Sequence, residues 1–179
     1  AIIGAGNVAM DAARTAMRLG AAKVTVVYRR TEQDITADKT EFEAARAEGV
    51  EFCWLSGPAA IRGEKRVNGL ECEILSIDAE GKSRPTGKRQ TIAADVILLA
   101  IGQRPAARIV STTQGIDVDD KGYVVTRERP YGMTTRRGVF AGGDVVHEPA
   151  TVVLAMKEAK KVAAGIAQYI EAKKLLESC

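Results

Sequence analysis

The chain has 179 residues, of which 46% are hydrophobic and 27% are charged, so it is long and apolar enough to form one domain, or slightly more, around a buried core. Its formal net charge of +3 is small and its basic residues are scattered, which argues against a nucleic-acid-binding protein. No apolar run reaches the ~18 residues of a membrane span, and no signal peptide is predicted, so we expect a cytoplasmic protein that binds neither nucleic acid nor a membrane.

The cysteine and histidine content predicts no metal site. Cys53, Cys72 and Cys179 form no C-x-x-C pair, and His147 is the single histidine of the sequence. Cys53 lies in an apolar strand pattern, so we expect a buried thiol there rather than a nucleophile. Free thiols fit a reducing cytosol.

The start of the chain contains a glycine pattern typical of dinucleotide-binding folds. It predicts the end of a buried strand, a turn with the pattern G-x-G-x-x-A, and the start of a helix. Gly4 allows the sharp turn, Gly6 lets the backbone touch a pyrophosphate, and Ala9 lets the helix lie close to the sheet. The N–H groups at the helix start, from Asn7 and Val8 onward, then bind phosphate with help from the helix dipole. A strand-to-helix turn that binds no phosphate is the alternative.

The context of this turn supports the dinucleotide interpretation. An alanine-rich helix is predicted over 7–19, ending at Gly20, and a buried strand is predicted over 23–28. Strand, turn, helix and strand together have about the ~30 residues expected of such a unit.

Two arginines, Arg29 and Arg30, follow the second strand and indicate which dinucleotide is bound. An NAD site usually carries an acidic residue there, which bonds the ribose 2′-hydroxyl. A carboxylate would repel a 2′-phosphate, whereas guanidinium groups bind it. The pair therefore favours NADP(H) over NAD(H), with two solvated arginines on a loop as the alternative.

The middle of the chain predicts the remainder of the same domain. A helix over 40–48 and a strand over 50–55 continue the alternation of helices and strands. A segment of about 59–93 predicts an inserted antiparallel β-meander, with a polar loop over 79–88. Its strands are predicted at 60–62, 67–75 and 90–92.

A continuous apolar strand is predicted over 95–101, covered on both faces. Gly102 and Gln103 follow at its carboxyl end, where open α/β sheets bind ligands. Gly102 is therefore a candidate for close backbone approach to the dinucleotide, with an ordinary Gly-Pro exit loop as the alternative.

The C-terminal part of the chain predicts a second ligand site. A loop-rich stretch over 108–137, with a hairpin near 120–123, leads to a short strand over 138–144 that ends in glycines and Asp144. The N–H groups of a helix over 150–176 could face an anion or a ring carbonyl, and Asp144 could accept hydrogen bonds from a sugar-like hydroxyl. A turn residue and a simple packing helix are the alternative. The apolar face predicted for this helix comprises Val152, Val153, Met156, Ala159, Ala163, Ile166 and Ile170.

Three stretches match motifs that occur together in one group of flavoproteins. The first is GAGNVAMDAARTAMRLGA followed by VTVVYRR, the second is ADVILLAIGQRP, and the third is TRRGVFAGGDVVHEPATVVLAMKEAKKVAAGI. Together they resemble the pyridine-nucleotide-dependent flavoprotein superfamily, and within it the small (β) subunit of NADPH-dependent glutamate synthase and its relatives.

The resemblance implies an α/β fold. A Rossmann-like three-layer NADP(H)-binding domain with an inserted meander is expected over 1–105, and the C-terminal part of an FAD-binding domain over 106–179. It also implies that NADPH passes a hydride to FAD, and that the electrons go on to an iron–sulfur or flavin partner. The cofactors carry this chemistry, so no catalytic side chain is assigned.

The third stretch carries the residues that the resemblance assigns to FAD. The acid that bonds the FAD ribitol corresponds to Asp144, beside Gly143. The helix start that points at the flavin ring corresponds to Ala150, Thr151 and Val152.

The family's N-terminal FAD domain and its iron–sulfur cysteines are missing from this sequence, and the first strand opens abruptly. We therefore expect a trimmed or processed piece of a longer chain, with FAD absent or weakly bound. The expected partner is the missing N-terminal FAD and iron–sulfur region, or a large catalytic subunit. Without it, the terminal helix would expose its apolar face, which favours homo-oligomers. A non-catalytic nucleotide-binding or interaction module is the alternative function.

Overall fold

The computed structural model describes residues 1–103, 110, 112–148 and 151–178, and the chain divides into two units, Ala1–Gly102 and Gln103–Cys179. The first unit contains two β-sheets and two α-helices, and the described part of the second contains a long helix and turns joined by β-bridges. The assignment of the two stretches to an NADP(H)-binding and an FAD-binding domain stays a prediction.

The first unit is built around a four-stranded parallel sheet in the order β3-β2-β1-β7. Ile2 lies opposite both Val26 and Leu98, so the first strand of the chain is central. This placement brings the turn after β1 to the carboxyl edge of the sheet, where open α/β sheets bind ligands. The strands are β1 (Ile2–Ile3), β2 (Thr25–Val27), β3 (Glu51–Cys53) and β7 (Leu98–Leu99).

Alternate residues of the central strands face two different layers, which gives the unit three layers in all. Ile2 and Val26 pack against both helices on one face of the sheet. Ile3 and Val27 pack against the antiparallel sheet on the other face. All four side chains are buried, and each buried aliphatic side chain stabilises the fold by about 1.5–3 kcal/mol. The predicted α/β three-layer fold is confirmed. The helices are α1 (Asn7–Arg18) and α2 (Lys39–Ala47).

The inserted meander is a three-stranded antiparallel sheet in the order β4-β5-β6, as predicted. The polar loop predicted over 79–88 was wrong in its second half, because β6 begins at Ser83, which pairs with Ile77. Most residues of this half are exposed, so no alternation of apolar and polar residues marks the strand in the sequence. The strands are β4 (Ser56–Arg62), β5 (Gly69–Ile77) and β6 (Ser83–Ala93).

The strand predicted over 95–101 was wrong in both length and burial. β7 comprises Leu98 and Leu99 alone, at one edge of the parallel sheet, and Leu99 is 66% exposed. Val96 and Ile101 are exposed as well. The apolar run therefore marks an uncovered edge in this chain rather than a strand buried on both faces.

The described part of the second unit packs turns onto one face of a long helix, α3 (Val152–Glu177). The hairpin predicted near 120–123 is confirmed by one antiparallel bridge, which joins Val118 to Val124 across it. The strand predicted over 138–144 was wrong, because Phe140 forms a single bridge and Gly143–Val145 is a 3-10 turn. The bridges pair Val118 with Val124, Thr126 with Thr134, and Met133 with Phe140.

The packed face of α3 differs from the one predicted. Its less exposed positions recur every three or four residues, as one face of a helix requires. The predicted apolar face is instead exposed, with Val152 at 76% and Val153 at 73%. A glycine and a glutamate interrupt the packed face, so apolar periodicity did not reveal it. The packed positions are Ala155, Glu158, Val162, Gly165 and Tyr169.

An ion-pair cluster joins the C-terminal ends of α1 and α2. Glu48 Oε1 accepts hydrogen bonds from Arg14 Nη2 at 2.9 Å and Arg18 Nη2 at 2.6 Å, and Arg14 also contacts Glu41. The hydrogen bonds from Arg14 and then Arg18 lower the pKa of Glu48 from 4.5 to about 2. A carboxyl whose pKa falls on folding stabilises the fold above its unfolded pKa, and loses this contribution as the pH falls through its folded pKa.

We therefore expect the free energy of unfolding to fall as the pH drops from about 4.5 to about 2, and to fall less steeply in a Glu48→Gln variant. Chemical denaturation at a series of pH values measures both slopes. Glu43→Gln, which removes an exposed carboxylate from the same helix, is the control. Equal slopes in the two variants would contradict the role given to Glu48.

Candidate nucleotide-binding site

The turn after β1 places different demands on its two glycines. Gly4 has a φ of +123°, and a Cβ there would lie 2.2 Å from the carbonyl oxygen of Ala100. At Gly6, whose φ is −94°, the nearest atom to a Cβ would be Thr36 Oγ1, 3.5 Å away, which is an ordinary contact. The fold therefore requires glycine at position 4, whereas at position 6 it leaves room that a ligand can use.

The start of α1 presents backbone donors to this space. Among the described residues no acceptor is found for the N–H groups of Asn7 and Val8, and no side chain caps the helix. The first turn contains no acidic residue, so the positive end of the helix dipole is uncompensated. Val8 is 70% exposed, whereas Ala9 is buried in the core between α1 and the sheet. The two N–H groups can bind an anion, and Ala9 has the packing role predicted for it.

The side chain of Asn7 has a structural task. Its Oδ1 accepts a hydrogen bond from Asp38 N at 2.7 Å, and Asp38 in turn caps α2 by accepting from Thr40 N. Asn7 therefore ties the starts of the two helices together. The side-chain oxygen of Asn7 is therefore engaged within the chain, while its main-chain N–H remains available to a ligand.

Arg29 and Arg30 lie two and three residues beyond the end of β2, at the same sheet edge as the glycine turn, because β1 and β2 are parallel neighbours. Both side chains are exposed, and neither guanidinium forms a hydrogen bond or ion pair with another described residue. Their backbone is held in place. The Arg30 carbonyl accepts from Leu55 N at 3.1 Å, and the Tyr28 carbonyl accepts from Ser56 N at 2.9 Å. These two positive charges, neither of them in an ion pair with a described residue, are available to an anion.

The segment after the arginines is ordered, although the sequence predicted only a polar stretch. Thr31 and Asp34 form a capping box around a 3-10 turn, with Thr31 Oγ1 donating to Asp34 Oδ2 at 2.7 Å. The hydrogen bonds from Thr31, with a smaller contribution from the charge of Arg30, hold the pKa of Asp34 below its usual value. Tyr28 Oη also donates to the Asp34 carbonyl at 3.0 Å. The T-x-x-D pattern that begins at Thr31 is the sequence signal for this turn.

The same segment then returns to the glycine turn, a contact that sequence reasoning missed. The N–H groups of Thr36 and Ala37 both donate to the Ala5 carbonyl, at 3.2 and 3.1 Å. Because this contact joins residues far apart in the chain, no local pattern signals it. It places Thr36 beside Gly6.

Gly102 and Gln103 come shortly after Ala100, whose backbone packs against Gly4. Ala100 N donates to the Ile3 carbonyl at 2.8 Å, which ends the pairing of this segment with β1. Gly102 has a φ of +79°, and no atom lies within 4 Å of a Cβ built there. Gln103 is exposed and is the first residue of the second unit. Open space at Gly102 fits both the approach of a ligand and an ordinary exit loop.

Asp144 lies in the 3-10 turn of the second unit. Gly143, which begins the turn, has a φ of +74°, and its carbonyl accepts from Val146 N at 2.9 Å and His147 N at 3.0 Å. The Asp144 side chain is exposed and forms no hydrogen bond with another described residue. Its carboxylate is therefore available to a donor outside this chain.

The start of α3 is only partly described. Thr151 is the N-cap, and its Oγ1 accepts from Leu154 N at 3.3 Å, so this hydroxyl is engaged in capping. Val152, the first residue of the helix, is strongly exposed. Ala150, the third residue predicted at this helix start, lies outside the described residues.

Side chains of α3 hold the turn that carries Asp144. Glu158 accepts from Tyr131 Oη at 2.6 Å and lies 3.1 Å from His147 Nε2. The Tyr131 hydrogen bond first, and His147 and Lys161 after it, lower the pKa of Glu158. A shallow groove of about 370 Å³ lies between the turn and the helix. It is lined by Gly142, Gly143, Ala155, Ala159, Val162, Ala163 and Ile166.

The described residues contain no group of three or more His, Cys, Asp or Glu side chains that could hold a metal ion. None of the described helices combines the length and the apolar character needed to cross a membrane. Burial raises the pKa of the Cys72 thiol to about 11, while Cys53 is half-buried with its Sγ 3.2 Å from Ser56 Oγ. The groups that remain available at the sheet edge, backbone N–H donors and two guanidiniums, suit a phosphorylated ligand.

The fold belongs to the α/β dinucleotide-binding class, with both faces of the parallel sheet covered. Three features define this class: a central first strand, parallel neighbouring strands, and a glycine turn at the carboxyl edge of the sheet. The family model of the pyridine nucleotide-disulphide oxidoreductases matches residues 1–159, and the chain belongs to this family.

Individual relatives agree with the family match. The glutamate synthase [NADPH] small chain of Halomonas elongata is 37% identical over 178 residues, which cover 95% of this chain and 38% of that one. The NADP(+)-dependent formate dehydrogenase subunit beta of Moorella thermoacetica is 37% identical over 177 residues, covering 95% of this chain and 25% of that one. The chain therefore spans well under half the length of these relatives. The resemblance to the glutamate synthase small subunit is confirmed.

A solved structure supports the fold. The crystal structure of T. acidophilum thioredoxin reductase matches with a TM-score of 0.77 and 22% identity, covering 96% of this chain and 51% of that one.

Proposed function

We propose that this chain is the NADP(H)-binding part of a flavoprotein oxidoreductase similar to the glutamate synthase small chain. In the complete enzyme a hydride passes from NADPH to FAD, and electrons go on to an iron–sulfur or flavin partner. The observation that carries the proposal is the Arg29–Arg30 pair, which is exposed and forms no hydrogen bond or ion pair with another described residue, at the sheet edge that holds the glycine turn.

The residues of the first unit fit NADPH in two places. The pyrophosphate binds in the space beside Gly6, where the N–H groups of Asn7 and Val8 donate to it. The ribose 2′-phosphate binds the two guanidiniums, which distinguish it from the free 2′-hydroxyl of NADH. Gly102 and Gln103 are proposed to border the dinucleotide at the end of the segment that packs on Gly4.

Titration of the chain with NADPH and with NADH, followed by calorimetry, tests the proposal. We expect tighter binding of NADPH, and we expect an Arg29→Ala/Arg30→Ala variant to lose roughly 100-fold or more in NADPH affinity, because each charge-assisted hydrogen bond contributes about 1.5–3 kcal/mol. NADH affinity should change little, so the preference should disappear.

Lys65→Ala/Arg66→Ala is the matched control. It removes another adjacent pair of exposed positive charges, from the loop between β4 and β5, and changes the net charge equally. NADPH affinity should be retained in this variant. Equal affinities of the parent chain for NADPH and NADH would refute the NADP(H) assignment.

The second unit is proposed to contribute part of an FAD site. Asp144, whose carboxylate forms no hydrogen bond with another described residue, is proposed to bind the ribitol, and the residues predicted at the helix start, Ala150, Thr151 and Val152, are proposed to contact the flavin ring. FAD supplies the redox chemistry when it is bound. These groups form only the C-terminal part of such a site, so we expect this chain by itself to bind FAD weakly or not at all. The remainder is proposed to come from an FAD and iron–sulfur region N-terminal to these residues or from a larger subunit.

The second candidate function is a non-catalytic nucleotide-binding or interaction module that is completed by another chain. The exposed apolar residues of α3, with Val152 and Val153 among the most exposed, favour this alternative. Failure to bind either nucleotide, together with self-association that rises with concentration in sedimentation, would support it. Binding of NADPH by a monomer would count against it.

A further inference from the structure

Thr36 lies beside the space proposed for the pyrophosphate. Its Oγ1 is the one atom found within 4 Å of a Cβ built on Gly6, at 3.5 Å, with neighbours in the chain left aside. The position is held by the backbone, because the N–H groups of Thr36 and Ala37 both donate to the Ala5 carbonyl. A ligand that approaches the backbone at Gly6 therefore meets the Thr36 side chain at the rim of the same space.

The Thr36 hydroxyl is available to such a ligand. Its contact within the chain is with the Ala5 carbonyl at 3.4 Å, at the long end of hydrogen-bond distances. That carbonyl already accepts two backbone N–H groups, at 3.2 and 3.1 Å, so it loses little if the hydroxyl turns away. The Thr36 residue is exposed, so the hydroxyl can rotate towards the space beside Gly6.

We propose that Thr36 is a further binding residue of the nucleotide site, whose hydroxyl donates a hydrogen bond to the pyrophosphate of NADPH. The proposal rests on the proposed function, since it deepens the same site. It assigns two phosphate contacts to one ordered segment, which begins at Arg29 and Arg30 and is folded back by the Thr31–Asp34 turn. The 2′-phosphate meets the start of this segment and the pyrophosphate meets its end.

The test compares two ligands, NADPH and adenosine 2′-monophosphate, which carries the 2′-phosphate without a pyrophosphate. Thr36→Val keeps the shape of the side chain and removes the hydroxyl. We expect it to weaken NADPH binding about tenfold, as the loss of a hydrogen bond to a charged group does, and to leave adenosine 2′-monophosphate unaffected. Thr36→Ser, which keeps the hydroxyl, should bind NADPH nearly as the parent does. Arg29→Ala/Arg30→Ala should weaken both ligands.

Thr15→Val makes the same substitution at an exposed position of α1 and serves as the control. A denaturation midpoint is measured for every variant to detect any loss of stability. Parent-like NADPH affinity in Thr36→Val would overturn this inference while the proposed function stands. Equal weakening of both ligands together with a lower midpoint would assign Thr36 a structural role and would also overturn it. Failure of the parent chain to bind NADPH would overturn the proposed function, and the inference with it.

Discussion

A Gly4→Ala variant is expected to destabilise the parallel-sheet unit strongly, whereas a Gly6→Ala variant is expected to keep the fold and bind the nucleotide more weakly. A Cβ at position 4 would lie 2.2 Å from the carbonyl oxygen and 2.7 Å from the carbonyl carbon of Ala100, and the φ of +123° is itself strained for alanine. Both obstacles are backbone atoms, so no rotation of a side chain relieves the clash. We expect a loss of about 3 kcal/mol or more, from backbone strain and overpacking together.

Gly6→Ala is the matched comparison in the same turn. Its φ of −94° suits alanine, and the new methyl would be in ordinary contact with Thr36 Oγ1. The stability cost should not exceed about 1 kcal/mol, the usual effect of a weaker helix N-cap. The methyl would occupy the space proposed for the pyrophosphate, so NADPH affinity should fall at least about tenfold, by the steric argument for the second glycine of the pattern.

Fluorescence of the single tryptophan measures the stability of this unit directly. Trp54 packs against the core between the helices and the sheet, stacked on Phe52 with 5.1 Å between ring centroids. Denaturant titration should give a much lower midpoint for Gly4→Ala and a nearly unchanged one for Gly6→Ala. Similar midpoints in the two variants would contradict the division between a glycine required by the fold and a glycine required by the ligand.

Gly165→Ala is expected to have the largest effect in the second unit. In an ordinary helix this substitution is stabilising by about 1 kcal/mol, because alanine is the better helix former. Here a Cβ would lie 2.1 Å from the carbonyl oxygen and 2.9 Å from the nitrogen of Tyr131, and Gly165 is the buried residue of α3. We expect a destabilisation of about 3 kcal/mol, so the usual sign is reversed.

Circular dichroism at 222 nm during denaturation, with limited proteolysis of α3, measures this effect. Ala164→Leu is the control, because it adds more carbon at the neighbouring exposed position and alters helix propensity little. The control should behave as the parent does. A stabilised Gly165→Ala variant would show that the helix does not lie on the Tyr131 backbone in solution.

Much of the first unit could be predicted because its signals are local. The glycine turn, the helix after it and the strand that ends before Arg29 are each defined by residues close together in the chain. The consecutive buried residues of the central strands follow from the three layers, since Ile2 and Ile3 point to opposite faces and both faces are covered. These features depend on backbone geometry and on the period of apolar residues, which a single sequence displays.

The wrong predictions share a physical cause, which is that burial depends on what lies alongside an element. The run of apolar residues that includes Leu98 and Leu99 suits a strand covered on both faces, yet these residues lie at an exposed edge. In β6 the opposite occurs, because pairing with β5 makes a strand of residues that are mostly exposed. In α3 the packed face contains Gly165. The close approach of the Tyr131 backbone, rather than hydrophobicity, requires glycine at this position.

The sequence by itself determined the family, the three-layer fold and the chemical character of the candidate site: a glycine turn followed by two arginines. The tertiary structure alone decided which glycine the fold requires, because the atom that forbids a side chain at Gly4 belongs to Ala100, at the other end of the first unit. It also decided that Thr36 lies beside Gly6, since the contact that brings them together joins segments distant in the chain. Local patterns determine backbone conformation, and only the folded chain determines which distant atoms surround it.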